Sequence, residues 1–261
     1  KNAAGRCGMG AVMGSKNLKA VAVRGRSAPT VADPEGVREV RKWMVGNWKN
    51  WGSSLHDIGT PGNVRGLQMA GALPTRNFRE GQFEGFEKIS GEAIRDTILV
   101  GRGGCYACPV QCKREVRVGE PWNVDPKYGG PEYETLGALG SCCGVDDLGA
   151  IAKANEICNA YGVDTISAGL TIAFAMECFE NGLLSAKDTD GLDLRFGKAT
   201  AMVQMVQMIA DRRGLGELLG EGVKRAAERL GGKASAYALH VKGQELPLHD
   251  PRLKPGLGFG Y

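Results

Sequence analysis

The sequence predicts a mainly α fold, α+β once its few extended segments are counted, and three observations carry that prediction. Apolar residues recur at helical spacing through most of the chain between about residues 34 and 230. Helix-starting residues (Asp33, Ser90 and Asp146) stand ahead of three of these stretches, and glycines close others. Strand-like patterns are confined to the first 25 residues and to a stretch after residue 235.

Taken in order, "LKAVAVRG" (18–25) sets Leu18, Ala20 and Ala22 against Val21 and Val23, which reads as a short buried strand. Asp33 as N-cap and Pro34 at the first helical position open a helix over about 34–49, with Val37, Val40, Trp43, Met44 and Trp48 at helical spacing. "TPGNVRGLQMAGALPTRNF" is broken by glycine and proline and reads as a short helix followed by a turn. "SGEAIRDTILV" starts another helix under a Ser90 cap. Further helices are expected from Glu132 to about Cys143, from Asp146 to about Tyr161, and over the nearly all-apolar "DTISAGLTIAFAMECFENG", the best candidate for a central helix. "KATAMVQMVQMIADRRG" and "GELLGEGVKRAAERLG" add two amphipathic helices, and "SAYALHVKGQELPLHDPR" turns strand-like and then loop-like.

The composition of the 261 residues excludes several functions. A formal charge of +4, spread without a basic block, gives no footprint for nucleic acid. No apolar run reaches the ~18–20 residues of a membrane span. Eight clustered cysteines fit a reduced, cytoplasmic setting with metal or cluster ligands better than a disulfide scaffold. Forty glycines, many in loops such as "GRCGMGAVMGS" and "GLGFGY", suggest backbone close to a large ligand or many tight turns. A start at Lys1, a last stretch that reads as mid-loop and the lack of a signal peptide lead us to expect a piece of a longer protein.

The densest chemistry is "GCYACPVQC" (104–112), which places Cys105, Cys108 and Cys112 at C-x2-C-x3-C spacing. Buried free cysteines, a zinc site and a [4Fe–4S] site all compete for it. Zinc would want a second cysteine pair or a histidine pair, whereas His56, His240 and His249 are scattered. Short spacings that wrap a tight loop round a cubane favour the cluster. Cys142 and Cys143 are adjacent in an expected helix, and Cys158 and Cys178 lie on apolar helix faces; all four read as core residues.

Six motifs in collinear order then identify a resemblance. "AAGRCGMGAVMGSKNLKAVAVRG", "LPTRNF", "CYACPVQC", "GPEYETLGALG", "YGVDTISAG" and "ELPLHDPR" resemble the tungsten-dependent aldehyde:ferredoxin oxidoreductases, over essentially Ala3 to Tyr261. The resemblance implies an N-terminal β-rich domain under the pterins followed by two mostly helical domains. Residues 1–26 would be the end of the first domain, including its final strand; 27–238 most of the second, with the iron–sulfur cysteines and the pterin motif; and 239–261 the start of the third.

It also implies site residues. Arg6 matches an arginine near the pterin phosphates, where a guanidinium pairs with phosphate and glycines let backbone N–H groups approach. Cys105, Cys108 and Cys112 match three ligands of the [4Fe–4S] cluster. Asn159 and Asp164 match the pterin-binding Asp-x-x-Gly-Leu-Asp, with Asn in place of the first Asp; Asp164 also reads as a helix N-cap. Glu134 matches the glutamate near tungsten, a candidate for proton transfer, with Glu132 structural. The family's metal-bridging Glu-x-x-His falls on Lys153 and Glu156, which speaks against that metal here and puts in doubt the dimer contact it supports. The fourth cluster cysteine and the active-site histidine are expected beyond Tyr261, and His249 reads as a loop residue.

The function so implied is oxidation of a small aldehyde to a carboxylic acid at a tungsten or molybdenum bis-pterin, with electrons passing through the [4Fe–4S] cluster to ferredoxin, in a homodimer or with electron-transfer subunits. Two rivals stand beside it: a tungsten-dependent reductase subunit acting on an aromatic acyl-CoA of the benzoyl-CoA type, and an iron–sulfur electron-transfer module without substrate chemistry.

Overall fold

A computed structural model of the chain describes residues 6–260. In chain order it contains α1 (Met9–Ser15), α2 (Pro34–Asn47), α3 (Lys49–Ile58), α4 (Asn63–Met69) and α5 (Gly91–Thr97). An antiparallel hairpin follows, β1 (Leu99–Gly103) with β2 (Lys113–Val116). Next come α6 (Tyr133–Thr135), α7 (Leu148–Tyr161), α8 (Thr165–Glu180), α9 (Ala199–Asp211), α10 (Leu215–Leu219) and α11 (Val223–Leu230). A two-residue hairpin, β3 (His240–Val241) with β4 (Gln244–Glu245), and α12 (Pro255–Gly258) complete the order. The mainly α expectation holds.

The expected caps form where the chemistry is local. Asp33 accepts from Gly36 N at 2.9 Å and Ser90 Oγ from Ala93 N at 3.1 Å. The cap of α7 is Asp147, one residue after the expected Asp146, and accepts from Ala150 N at 2.9 Å; Asp146 instead pairs with Lys88. The helix expected over 34–49 ends at Asn47, and the chain enters α3 one residue later. The closing residue of α9 is Arg212 in the left-handed region (φ 55°), not a glycine, while α11 ends at Gly231 as expected.

The strand expected over 18–25 does not form. Those residues have no regular structure and are exposed, Val21 to 72% and Val23 to 86%. A strand is stabilised by a neighbour that takes its N–H and C=O groups, and no described segment pairs with this one. Alternation alone therefore leaves it extended. The apolar residues Val37, Val40, Trp43 and Val45 of α2 are likewise exposed.

The core is built round α8, whose residues from Ile166 to Cys178 are buried almost without exception. Against it lies a composite segment: α6 runs into a π-helical turn (Leu136–Gly140) and then a 3-10 turn (Ser141–Cys143). The plain helix expected over 132–143 is thus interrupted by a π bulge, a feature that often accompanies functional sites. Gly169 lets the two approach: a Cβ there would lie 2.6 Å from the Ala138 backbone carbon. Cys142, Cys143, Cys158 and Cys178 are buried, as expected of core residues. Burial pushes their thiols up, Cys158 and Cys178 to about 12. Among the described residues no helix is long and apolar enough to cross a membrane.

Candidate cofactor and active site

The end of α7 and the start of α8 form the hub of three cavities, of about 880, 710 and 670 Å³. The third brings together residues far apart in the chain. Glu134 and Thr135 come from α6, Asn155 and Asn159 from α7, Asp164 from the cap of α8, and Arg114 from β2. Gly103 and Gly104, at the entrance to the cysteine loop, form its rim.

Asp164 caps α8, accepting from Ser167 N at 3.0 Å, and pairs with Arg6 Nη1 at 2.9 Å. The second arm of Arg6 donates to Glu245 O at 2.7 Å. The expected arginine and aspartate are therefore partners, joined on the wall of the 710 Å³ cavity. Glu245, buried, accepts in turn from Ser167 Oγ at 2.7 Å and Val223 N at 2.7 Å, tying β4 to α8 and α11. Asn159 donates to Tyr128 O at 2.9 Å.

Glu134 is held by a segment the sequence placed in a loop. Its Oε2 accepts from Leu248 N at 2.8 Å, and His249 Nε2 lies 3.1 Å from its Oε1. His249 was thus missed as a partner of Glu134; nothing local in "LHDPR" signals a contact with a residue more than a hundred positions earlier.

Cys105, Cys108 and Cys112 sit in the loop joining β1 to β2, Cys105 exposed and the other two half-buried. Ala107 and Gln111 turn this loop through left-handed conformations (φ 54° and 50°). No group of three or more His, Cys, Asp or Glu side chains poised to hold a metal ion occurs among the described residues. The loop is anchored from below by Arg114, which is 2% exposed. Its guanidinium donates to Gln111 O at 3.0 Å, His56 O at 2.9 Å and Asp57 O at 2.7 Å. Burial, and then repulsion from Arg102, lower its pKa. His56 adds a 2.7 Å hydrogen bond from Nδ1 to Val110 O within the loop.

Two buried donors have no partner among the described residues: Asn155 Nδ2, from a residue lining the third cavity, and Arg114 Nε, which lies against Gly59, outside that cavity's lining. An unpaired buried N–H is uncommon and suits a ligand acceptor. Asn155 had a readable signal, since it interrupts the apolar face of α7 beside Ile151, Ala154 and Cys158. Arg114, in the ordinary strand pattern "KREV", had none. Lys153 and Glu156 form an ion pair at 2.6 Å.

Residues 35–261 match the family described as aldehyde ferredoxin oxidoreductase, domains 2 & 3, and residues 1–25 match its N-terminal domain. The tungsten-containing aldehyde ferredoxin oxidoreductase of Pyrococcus abyssi is 42% identical over 268 aligned positions, covering 99% of this chain and 43% of that protein. The corresponding protein of Pyrococcus furiosus is 39% identical, over 99% of this chain and 42% of its own length. The aliphatic sulfonate oxidoreductase, WOR-like subunit, of Pyrococcus furiosus is 30% identical over 96% of this chain and 41% of its own length. Among solved structures, the active-site complex BamBC of benzoyl coenzyme A reductase shares the fold, with a TM-score of 0.70 and 24% identity over 93% of this chain and 38% of that one. The chain spans less than half the length of the curated relatives it matches.

Proposed function

The chain belongs to the aldehyde ferredoxin oxidoreductase family, and from that premise we propose that it supplies part of the centre of a tungsten or molybdenum bis-pterin enzyme. That enzyme oxidises an aldehyde to a carboxylic acid and passes the electrons through a [4Fe–4S] cluster at Cys105, Cys108 and Cys112 to ferredoxin. One observation carries the reading: Glu134, Asn159, Asp164 and Asn155, whose amide N–H is unpartnered, share one cavity with the mouth of the cysteine loop.

The donor set fits both groups. A pterin is an extended heterocycle of acceptors and donors, and polar contacts of both kinds come from Asn155 and Asn159 on one cavity and from the Arg6–Asp164 pair on the adjoining one, with Asp164 lining both. Three free thiols share one short loop, and although they are not gathered for a metal in this arrangement, drawn together they would supply three corners of a cubane. When bound, these groups supply the two-electron oxidation and its division into single electrons.

The chain's own residues do the rest. Arg6 and Asp164 form one wall, with the carboxylate fixed by the α8 cap so that the guanidinium keeps its place. Glu134, with each oxygen held by one donor, receives a proton as water and aldehyde become acid. Arg114 holds the cysteine loop against the same cavity. Residues 1–26, 27–238 and 239–261 are proposed as parts of three successive domains, and the setting as cytoplasmic.

Metal analysis of the complete protein that carries this chain, with aldehyde-dependent reduction of ferredoxin, tests the proposal. Tungsten or molybdenum together with iron, and turnover of benzaldehyde rather than benzoyl-CoA, are expected. Iron with neither heavier metal would overturn it.

A further inference from the structure

We infer that His249 and Lys254 form, with Glu134, a positioning triad that holds the Glu134 carboxylate in one fixed orientation beside the cavity. The inference rests on the reading of Glu134 as the proton acceptor and deepens it.

The geometry assigns each role. Lys254 Nζ lies 3.3 Å from His249 Nδ1. An ammonium has donors and no acceptor, so Nδ1 must accept. The ring proton is then on Nε2, which points at Glu134 Oε1 from 3.1 Å and donates to it. The other carboxylate oxygen receives Leu248 N–H at 2.8 Å. Two adjacent residues of one segment thus grip both oxygens.

That segment is itself clamped. The Tyr133 hydroxyl donates to Leu248 O, and the Tyr133 and His249 rings pack with centroids 5.3 Å apart. Leu248 is fully buried against Gly137, where a Cβ would come within 2.6 Å of its side chain. Gly137 lies within the π turn that begins at Leu136, so the backbone irregularity and the carboxylate grip occupy the same stretch of chain. His249 is about one-third exposed and Lys254 is exposed, so the triad runs from solvent to the cavity.

Donation from Nε2 and Leu248 N–H fixes one carboxylate oxygen each, so the group keeps a single orientation as it takes part in proton transfer. In the overall step, aldehyde and water give carboxylic acid, two protons and two electrons. The electrons go to the iron–sulfur acceptor chain, one proton goes to Glu134 and the other to solvent. His249 touches Glu134 and not the substrate; it positions. The other titratable groups round Glu134 are Tyr133 and Cys142 behind it, Lys113, Arg114, Glu115, Lys127, Tyr128, Glu132 and Asp164 on the same cavity, and Asp250, which is paired with Arg252. The substitutions below leave all of these in place.

The test uses the complete, metal-loaded protein. Nitrogen-15 NMR of labelled histidine, with the His249 signals identified by their loss in H249Q, reads the tautomer directly, independent of turnover. Nε2–H is expected in the parent, and K254M should weaken that preference. Losing the donor frees one carboxylate oxygen, so H249A should lower kcat about tenfold with KM little changed. H249Q, which keeps an N–H donor, should restore most of that loss. A His249 protonated at Nδ1, or an H249A variant with parent kcat while E134Q is inactive, would overturn this inference and leave the Glu134 reading standing. Full turnover by E134Q would overturn both.

Discussion

Arg6 and Asp164 are 158 positions apart in sequence and 2.9 Å apart in space. The contact joins the glycine-rich segment before α1 to the cap of α8, and it makes Asp164 serve two structures at once. Its carboxylate holds the first turn of the central helix while neutralising the arginine on the cavity wall.

The two roles separate by substitution. Asp164→Asn keeps an N-cap oxygen but loses the charge, so stability should fall by well under the ~1 kcal/mol typical of a lost cap, and cofactor content should fall with the broken pairing. Asp164→Ala should lose both, with an added cost of about 1 kcal/mol in thermal unfolding. Equal stability of the two variants would show that the cap contributes nothing.

Arg114 gives a second prediction. Arg114→Met leaves the Gln111, His56 and Asp57 carbonyls without their donor. Destabilisation of about 3 kcal/mol is expected, with faster amide hydrogen exchange confined first to residues 104–112. Iron content should fall even though no cysteine is altered. Parent-like exchange in that loop would remove Arg114 as its anchor.

The cysteines divide by reactivity. At about pH 8 the exposed thiols of Cys7 and Cys105 should be alkylated first in the metal-free protein. Cys158 and Cys178, pushed up to about 12 by burial, and the equally buried Cys142 and Cys143 should be spared until unfolding. Peptide mass spectrometry after timed quenching reads the order, and early labelling of Cys143 would contradict the packing.

Glu177 supplies a pH-dependent prediction. Burial raises its pKa, partly offset by the Asn77 amide at 2.6 Å. The folded state then binds this proton more tightly than the unfolded chain, so the charged form costs stability as pH rises through the folded pKa. Glu177→Gln should be more stable than the parent at neutral pH, with the difference vanishing toward about pH 4. Denaturant midpoints across that range test the sign.

Two glycine-to-alanine changes should act in opposite directions. Gly169→Ala forces a Cβ to 2.6 Å from the Ala138 backbone and should cost about 3 kcal/mol. Gly46→Ala, on the exposed helix α2 with nothing within 4 Å, should gain about 0.5 kcal/mol. Melting temperatures of the pair check both.

The sequence by itself determined what is decided within a few residues. Asp33, Ser90 and Asp164 cap their helices because a side-chain oxygen need only reach an N–H two or three positions ahead. The buried apolar run of α8 announced the central helix, and collinear motifs announced the family. Local pattern could not decide whether 18–25 would find a strand partner, or that Gly169 and Leu248 would press on the helix after Glu134 and accompany a π turn. Only the tertiary structure set His249 on Glu134 and left Asn155, on the cavity beside it, with an unspent N–H. Pairings between distant segments are fixed by how whole helices pack, and that information is spread over every buried contact rather than carried by any short stretch of sequence.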